Sequence, residues 1–148
     1  MVSMSISLDQ AQTVVAAALA HGTEHGFNPL TVAVLDPGGA VVALARQDGS
    51  GNLRPDLAVA KAYGVLALGM TNRAIAARAA DSPEFFTSVA ALAGGRILSV
   101  PGGVFIRAAD GALLGAVGVT GDASLNDEAA ALAGIAAVGL VAQTGAED

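Results

Sequence analysis

The stretch LTVAVLDPGGAVVALAR, residues 30–46, constrains the fold more than any other part of the chain. Two strand-like runs rich in β-branched residues, Leu30–Asp36 and Ala40–Arg46, flank Pro37-Gly38-Gly39, and so short a turn leaves an antiparallel hairpin as the outcome. Further along, VPGGVFIRAADG repeats the order PGG, apolar run, arginine, Asp-Gly. The match is too short to require a duplication, and two hairpins under the same turn chemistry account for it. RILSV and GVFIRA, separated by Pro101-Gly102-Gly103, are expected to be strands, and Asp110-Gly111 turns the chain into ALLGAVGVT.

Helices fill the intervals. Ser7 and Gln10 have the spacing of a capping box, followed by apolar residues at helical spacing, so a first helix is expected to about His25. Pro55 suits a first helical position and Asp56 a first turn, which predicts a second helix over about Asp56–Leu68. Thr71 is expected to cap a third through about Ala80, and Ser82-Pro83-Glu84 to start a short fourth that Gly94-Gly95 ends. Ser124 is expected to cap the last helix, which the apolar stretch Ala129–Ala142 extends, before a frayed tail. Hairpins separated by helices predict one α+β domain over residues 1–148, an antiparallel sheet with helices on its faces.

Composition excludes several functions. Seven Lys and Arg residues are scattered through a chain of net charge −6, so no basic footprint exists for nucleic acid. Cysteine is absent, which removes disulfides, thiolate chemistry and covalent haem attachment through a Cys-x-x-Cys-His motif. No secretory signal is read at the N-terminus, and the longest apolar run falls short of the ~20 residues of a membrane span, so a cytoplasmic protein without membrane contact is expected. Hydrophobic residues make up 53% and charged residues 14%, which predicts apolar surface turned toward another subunit of a homo-oligomer.

The candidate chemistry lies in four places. Gly115, Gly118 and Gly121 match neither phosphate-binding spacing, and no lysine is near them, so LLGAVGVTGDASLNDEAAALAG is a strand, a turn and a helix start. Asp127 and Glu128, in the first turn of that helix, either complement its dipole or point into a pocket. Lys61, in LAVAKAYGVLAL, must extend to solvent, pair with an acid, or sit desolvated with a lowered pKa. The loop RQDGSGNLRPD gathers Arg46, Asp48, Arg54 and Asp56, either as a solvated turn or as a ligand loop. Pro101, Gly102 and Gly103 form a strand-entry turn or offer backbone N–H groups to a ligand. His21 and His25 have helical spacing but no third metal ligand, and no metal site is expected.

The motifs VAVLDPGG, DLAVAKA, PGGVFI, GAVGVTG and NDEAAALAG, in this order over about Ser5–Leu140, resemble the GlcG/HbpS-like haem-binding-protein family, also found as the C-terminal part of PduO proteins. The resemblance implies a profilin-like α-β-α sandwich that assembles into homo-oligomers, dimer to octamer, and leaves haem open as a cofactor. The match to DLAVAKA implies a pocket role for Lys61. The chain departs from the family pattern at Ala40, where members often carry histidine, at Phe105, where they often carry proline, and at Thr120 and Asp122, of which Asp122, beside Asp127 and Glu128, makes that corner more negative. For a haem iron, His21, His25, Tyr63, Met4 and Met70 are the conceivable ligands.

Three functions follow. The first is an oligomeric module that binds haem, another tetrapyrrole or a small metabolite, with Arg46, Arg54, Asp56, Pro101, Gly102, Gly103 and Thr120 as ligand-binding residues. The second is a cofactor-independent enzyme on a small oxygenated or carbonyl-bearing metabolite, with Lys61 and one of Asp48, Asp127 or Glu128 as acid and base. The third is a structural accessory oligomer.

Overall fold

The computed structural model of the chain describes residues 4–147. The outermost ends of the expected domain, residues 1–3 and Asp148, lie outside it. In chain order the elements are α1 (Leu8–Glu24), β1 (Thr31–Leu35), β2 (Val41–Arg46), α2 (Arg54–Leu68), α3 (Asn72–Asp81), α4 (Pro83–Leu92), β3 (Gly103–Arg107), β4 (Leu113–Thr120), α5 (Ser124–Ala136) and β5 (Val141–Gln143). The strands form one antiparallel sheet in the order β2-β1-β4-β3-β5. It is an α+β fold, an α-β-α sandwich.

Alternation along the strands feeds two cores. Val32, Val34, Val104, Ile106, Val117 and Val119 turn to the face covered by α1 and α5. Leu35, Phe105 and Ala116 turn to the opposite face, covered by α2 and flanked by Ile75 and Ile97. On that second face Gly103 and Gly118 are cross-strand partners, and α2 lies directly upon them. A Cβ at Gly118 would collide with the carbonyl of Ala58, and one at Gly103 with the carbonyl of Lys61. The two glycines therefore form a notch that fixes how close α2 comes to the sheet and which turn of it meets β3 and β4.

The helix starts follow the sequence signals. Ser7 and Gln10 form the capping box in both directions, and Thr71 accepts from the Ala74 amide at the start of α3. At α2 the expected start moves two residues upstream, to Arg54. Ser124 is not a cap: the N-cap of α5 is Ala123, which has no side-chain oxygen. Asp122 Oδ1 accepts from the Ala123 amide at 2.8 Å and from Asn126 Nδ2 at 2.7 Å instead.

Three other expectations are corrected. The last helix stops at Ala136. Gly139, at φ 69°, donates to Ala136 while Leu140 donates to Ile135, a Schellman arrangement that ends the helix and sends Val141–Gln143 onto β3 as an edge strand. Arg96–Val100 is not a strand, because β3 already has β4 on one side and β5 on the other. Ile97 packs against Gly64 of α2. The tail is folded back through Glu147, whose carboxylate accepts from the Thr144 amide and hydroxyl, and Thr144 is buried.

Candidate functional site

One end of the sheet is polar, and it collects most of the candidate residues. Lys61 leaves the sheet-facing side of α2, 4% exposed, and its Nζ donates to the Val119 carbonyl at 2.9 Å and to Asp127 Oδ2 at 3.0 Å. Of the readings open for this lysine, the structure combines two: it is paired with an acid, Asp127, and it is desolvated. Burial lowers the Lys61 pKa; the attraction of Asp127 opposes that shift, and nearby Arg54 adds to it. Burial likewise raises the Asp127 carboxyl, against the pull of Lys61 and of the Asp122 amide that donates to it. A pair held away from water on both sides gains little net stability, so its presence is a statement about position more than strength.

Around this pair lie further polar groups. Arg54 Nη1 donates to Thr120 Oγ1 at 2.8 Å. Thr31, the cross-strand neighbour of both Arg46 and Thr120, shares a hydrogen bond of 2.8 Å with Ser50, whose carbonyl accepts from Arg46. Gly102, at φ 130°, lies against the Lys61 side chain, so a Cβ there would be 2.8 Å from Nζ. Rather than facing a ligand, the Gly103 amide donates to Asn72 Oδ1. From the first turn of α3, Arg73 Nη2 reaches Glu128 Oε1 at 2.5 Å.

Three buried atoms of this corner have no partner among the described residues: Asn72 Nδ2, Arg73 Nε and Glu128 Oε2. Each unsatisfied group costs about 1–3 kcal/mol. Sequence reasoning missed Asn72 and Arg73, although for Arg73 a signal was present. A cation in the first turn of a helix with no acid there opposes the helix dipole, and so calls for a carboxylate from elsewhere. Two predicted residues stand apart. Asp48 is exposed in its loop, and Asp56 is exposed at the start of α2 beside Gly94 and Arg96.

The conceivable haem ligands do not converge. His21 and His25 stack on each other with ring centroids 4.0 Å apart, and His25 Nδ1 is 2.8 Å from the His21 carbonyl. Tyr63 lies beneath the Arg96 guanidinium at 4.1 Å, and Met4 is exposed. Met70 lines an apolar pocket of about 160 Å³, small for a macrocycle. A larger groove of about 450 Å³ runs between α1 and β2, walled by Leu8, Val15, Leu19, Val42 and Leu44, with no histidine, tyrosine or methionine in it. The described residues of one chain therefore do not fit an enclosed, axially ligated haem. Among the described residues no group of three or more His, Asp or Glu is arranged to hold a metal ion, and no helix is long and apolar enough to cross a membrane.

A family model described as haem-degrading protein, HbpS-like, matches residues 6–136. The chain belongs to this family, as the five motifs indicated. Among solved structures, that of a Streptomyces reticuli HbpS double mutant is 28% identical, with a TM-score of 0.76 over 92% of this chain and 88% of that one. Two more distant structures share the fold. A PduOC–haem complex has a TM-score of 0.81 at 20% identity, covering 93% of this chain and 97% of that one. Klebsiella pneumoniae protein ORFY has a TM-score of 0.82 at 23% identity, covering 94% of each chain. No curated protein matches the chain.

Proposed function

We propose that this chain is a homo-oligomeric small-ligand-binding protein whose ligand is a haem-type tetrapyrrole, held on a face that a second copy completes. The observation that carries this reading is the family match, which spans nearly the whole domain. Among the described residues, the conceivable axial ligands stand apart from the groove between α1 and β2, and this directs the site to a boundary between copies. The groove between α1 and β2 supports it as an apolar wall, since β2 is an edge strand and Leu8 and Leu44, which line it, are exposed. The test is an absorbance titration with haemin. A shifted Soret band that saturates at a fixed ratio to protein is expected; a response that never saturates would mean surface adsorption and sink the reading.

A second reading is favoured by the buried corner at the polar sheet end. Lys61 and Asp127, pushed toward each other in pKa, form an acid/base pair beside three unpaired polar atoms. In this reading the corner acts on a small oxygenated or carbonyl-bearing metabolite. Turnover of a screened metabolite that survives Lys61→Met would remove the pair from the chemistry.

A further inference from the structure

The second face of the molecule holds a pocket that the tetrapyrrole reading does not use. Where α2 ends and α3 meets α4, Leu68, Met70, Ile75, Phe86 and Val89 enclose about 160 Å³ of apolar space, with Arg78 and Phe85 at its mouth. A dry apolar cavity of roughly 150 Å³ is large enough for one benzene-sized ring. Ile75, 1% exposed, forms the floor, whereas Phe85 is 52% exposed at the rim.

Arg78 is the unusual member. The chain has seven Lys and Arg against thirteen Asp and Glu, so partners for a cation are plentiful. Six of the seven are engaged: Arg46 with the Ser50 carbonyl, Arg54 with Thr120, Lys61 with Asp127, Arg73 with Glu128, Arg96 with the Ala93 carbonyl, and Arg107 with Gln143. Among the described Lys and Arg residues, Arg78 alone has a side chain that donates no hydrogen bond and forms no ion pair, although Asp81 and Glu84 follow closely in sequence. Its guanidinium stands 4.9 Å from the centre of the Phe85 ring, held over the pocket mouth by that contact. An uncommitted planar cation at the entrance of an apolar cavity is matched to one kind of guest, a compact apolar body ending in a carboxylate.

We infer that this pocket binds a small apolar carboxylate, a single aromatic ring or a branched aliphatic acid, with its body against Ile75 and Phe86 and its carboxylate on Arg78. The inference is independent of haem, so an unsuccessful haemin titration leaves it standing. The test uses three probes on the full chain, followed by amide NMR: benzoate, benzyl alcohol as the same ring without charge, and acetate as the charge without the ring. Benzoate is expected to bind saturably and to shift Met70, Ile75, Arg78 and Phe86. Benzyl alcohol should bind roughly tenfold more weakly, the scale of one charge-assisted contact, and acetate should leave these signals unmoved. Arg78→Gln, an exposed change, should bring benzoate down to the level of benzyl alcohol. Filling the pocket by Val89→Trp should abolish both. Benzoate affinity unchanged in folded Arg78→Gln would overturn the inference. So would pocket signals that move with protein concentration and not with benzoate, since a second copy would then be the occupant.

Discussion

Lys61 of α2 and Asp127 of α5 meet at 3.0 Å, 4% and 1% exposed, across the end of β4. The contact ties together two helices that lie on opposite faces of the sheet, and it does so where β4 runs out and the chain turns toward α5. Its strength is modest, but its breakage is costly. Removing one partner strands the other as a buried, uncompensated charge.

Lys61→Met is therefore expected to lower stability by about 3–5 kcal/mol in denaturant unfolding. The double variant Lys61→Met/Asp127→Leu should lose less than the single one, because neither charge is left behind. A double variant less stable than Lys61→Met alone would contradict this account of the pair.

The pH dependence has a definite sign. Burial puts Lys61 below its ordinary 10.5 and Asp127 above its ordinary 3.8. Between the lowered value and 10.5 the unfolded chain holds more protons than the folded one, so the contribution of Lys61 climbs as pH rises through that window. Between 3.8 and the raised value the folded chain holds more protons, so the contribution of Asp127 declines as pH rises through that window. Compared with the double variant, the wild type should gain as pH falls through the Asp127 window toward 3.8 and as it rises through the Lys61 window toward 10.5. Glu147, below its ordinary value, is common to both proteins and cancels. A difference that is flat with pH would mean the pair is not desolvated.

The glycine notch makes its own prediction. Gly118→Ala would press a methyl group into the Ala58 carbonyl, backbone against backbone, with no flexible side chain to yield. The loss should lie at the upper end of the roughly 1–3 kcal/mol of an overpacked core, and thermal unfolding would read it. An unchanged melting temperature would mean that α2 does not rest on β4 at this point.

Asp122 replaces the cap expected from Ser124. Its carboxylate accepts from the Asn28 and Ala123 amides and from Asn126 Nδ2, joining the start of α5 to the loop before β1. Asp122→Ala should speed hydrogen exchange at Asn28 and in the first turn of α5 while leaving β4 protected. Uniform acceleration across the domain would point to global unfolding instead.

The architecture was legible because its signals are local. The PGG and Asp-Gly turns, the capping box at Ser7 and the Thr71 cap each act within a few residues. The strand at Val141–Gln143 was hidden because Gly139 sits in an apolar, alanine-rich stretch, and an alanine run looks helical until a glycine takes a positive φ. Arg96–Val100 failed for a non-local reason: a strand also needs a free neighbour, and β5 had taken it. At the site, Lys61 stood out as a lone charge among apolar residues. Its partner could not be chosen from Asp48, Asp127 and Glu128 without knowing that the C-terminal end of β4 brings the start of α5 beneath α2. Asn72 was invisible because its role, accepting from the Gly103 amide, depends on that same notch.

The central claim, a tetrapyrrole held between copies of this chain, is tested most directly by sedimentation velocity of the haemin-loaded protein, recorded at both the Soret and protein wavelengths. The Soret-absorbing boundary is expected to coincide with that of an oligomer, at a fixed number of haems per assembly. Soret absorbance travelling with a monomer, or sedimenting apart from the protein, would contradict it.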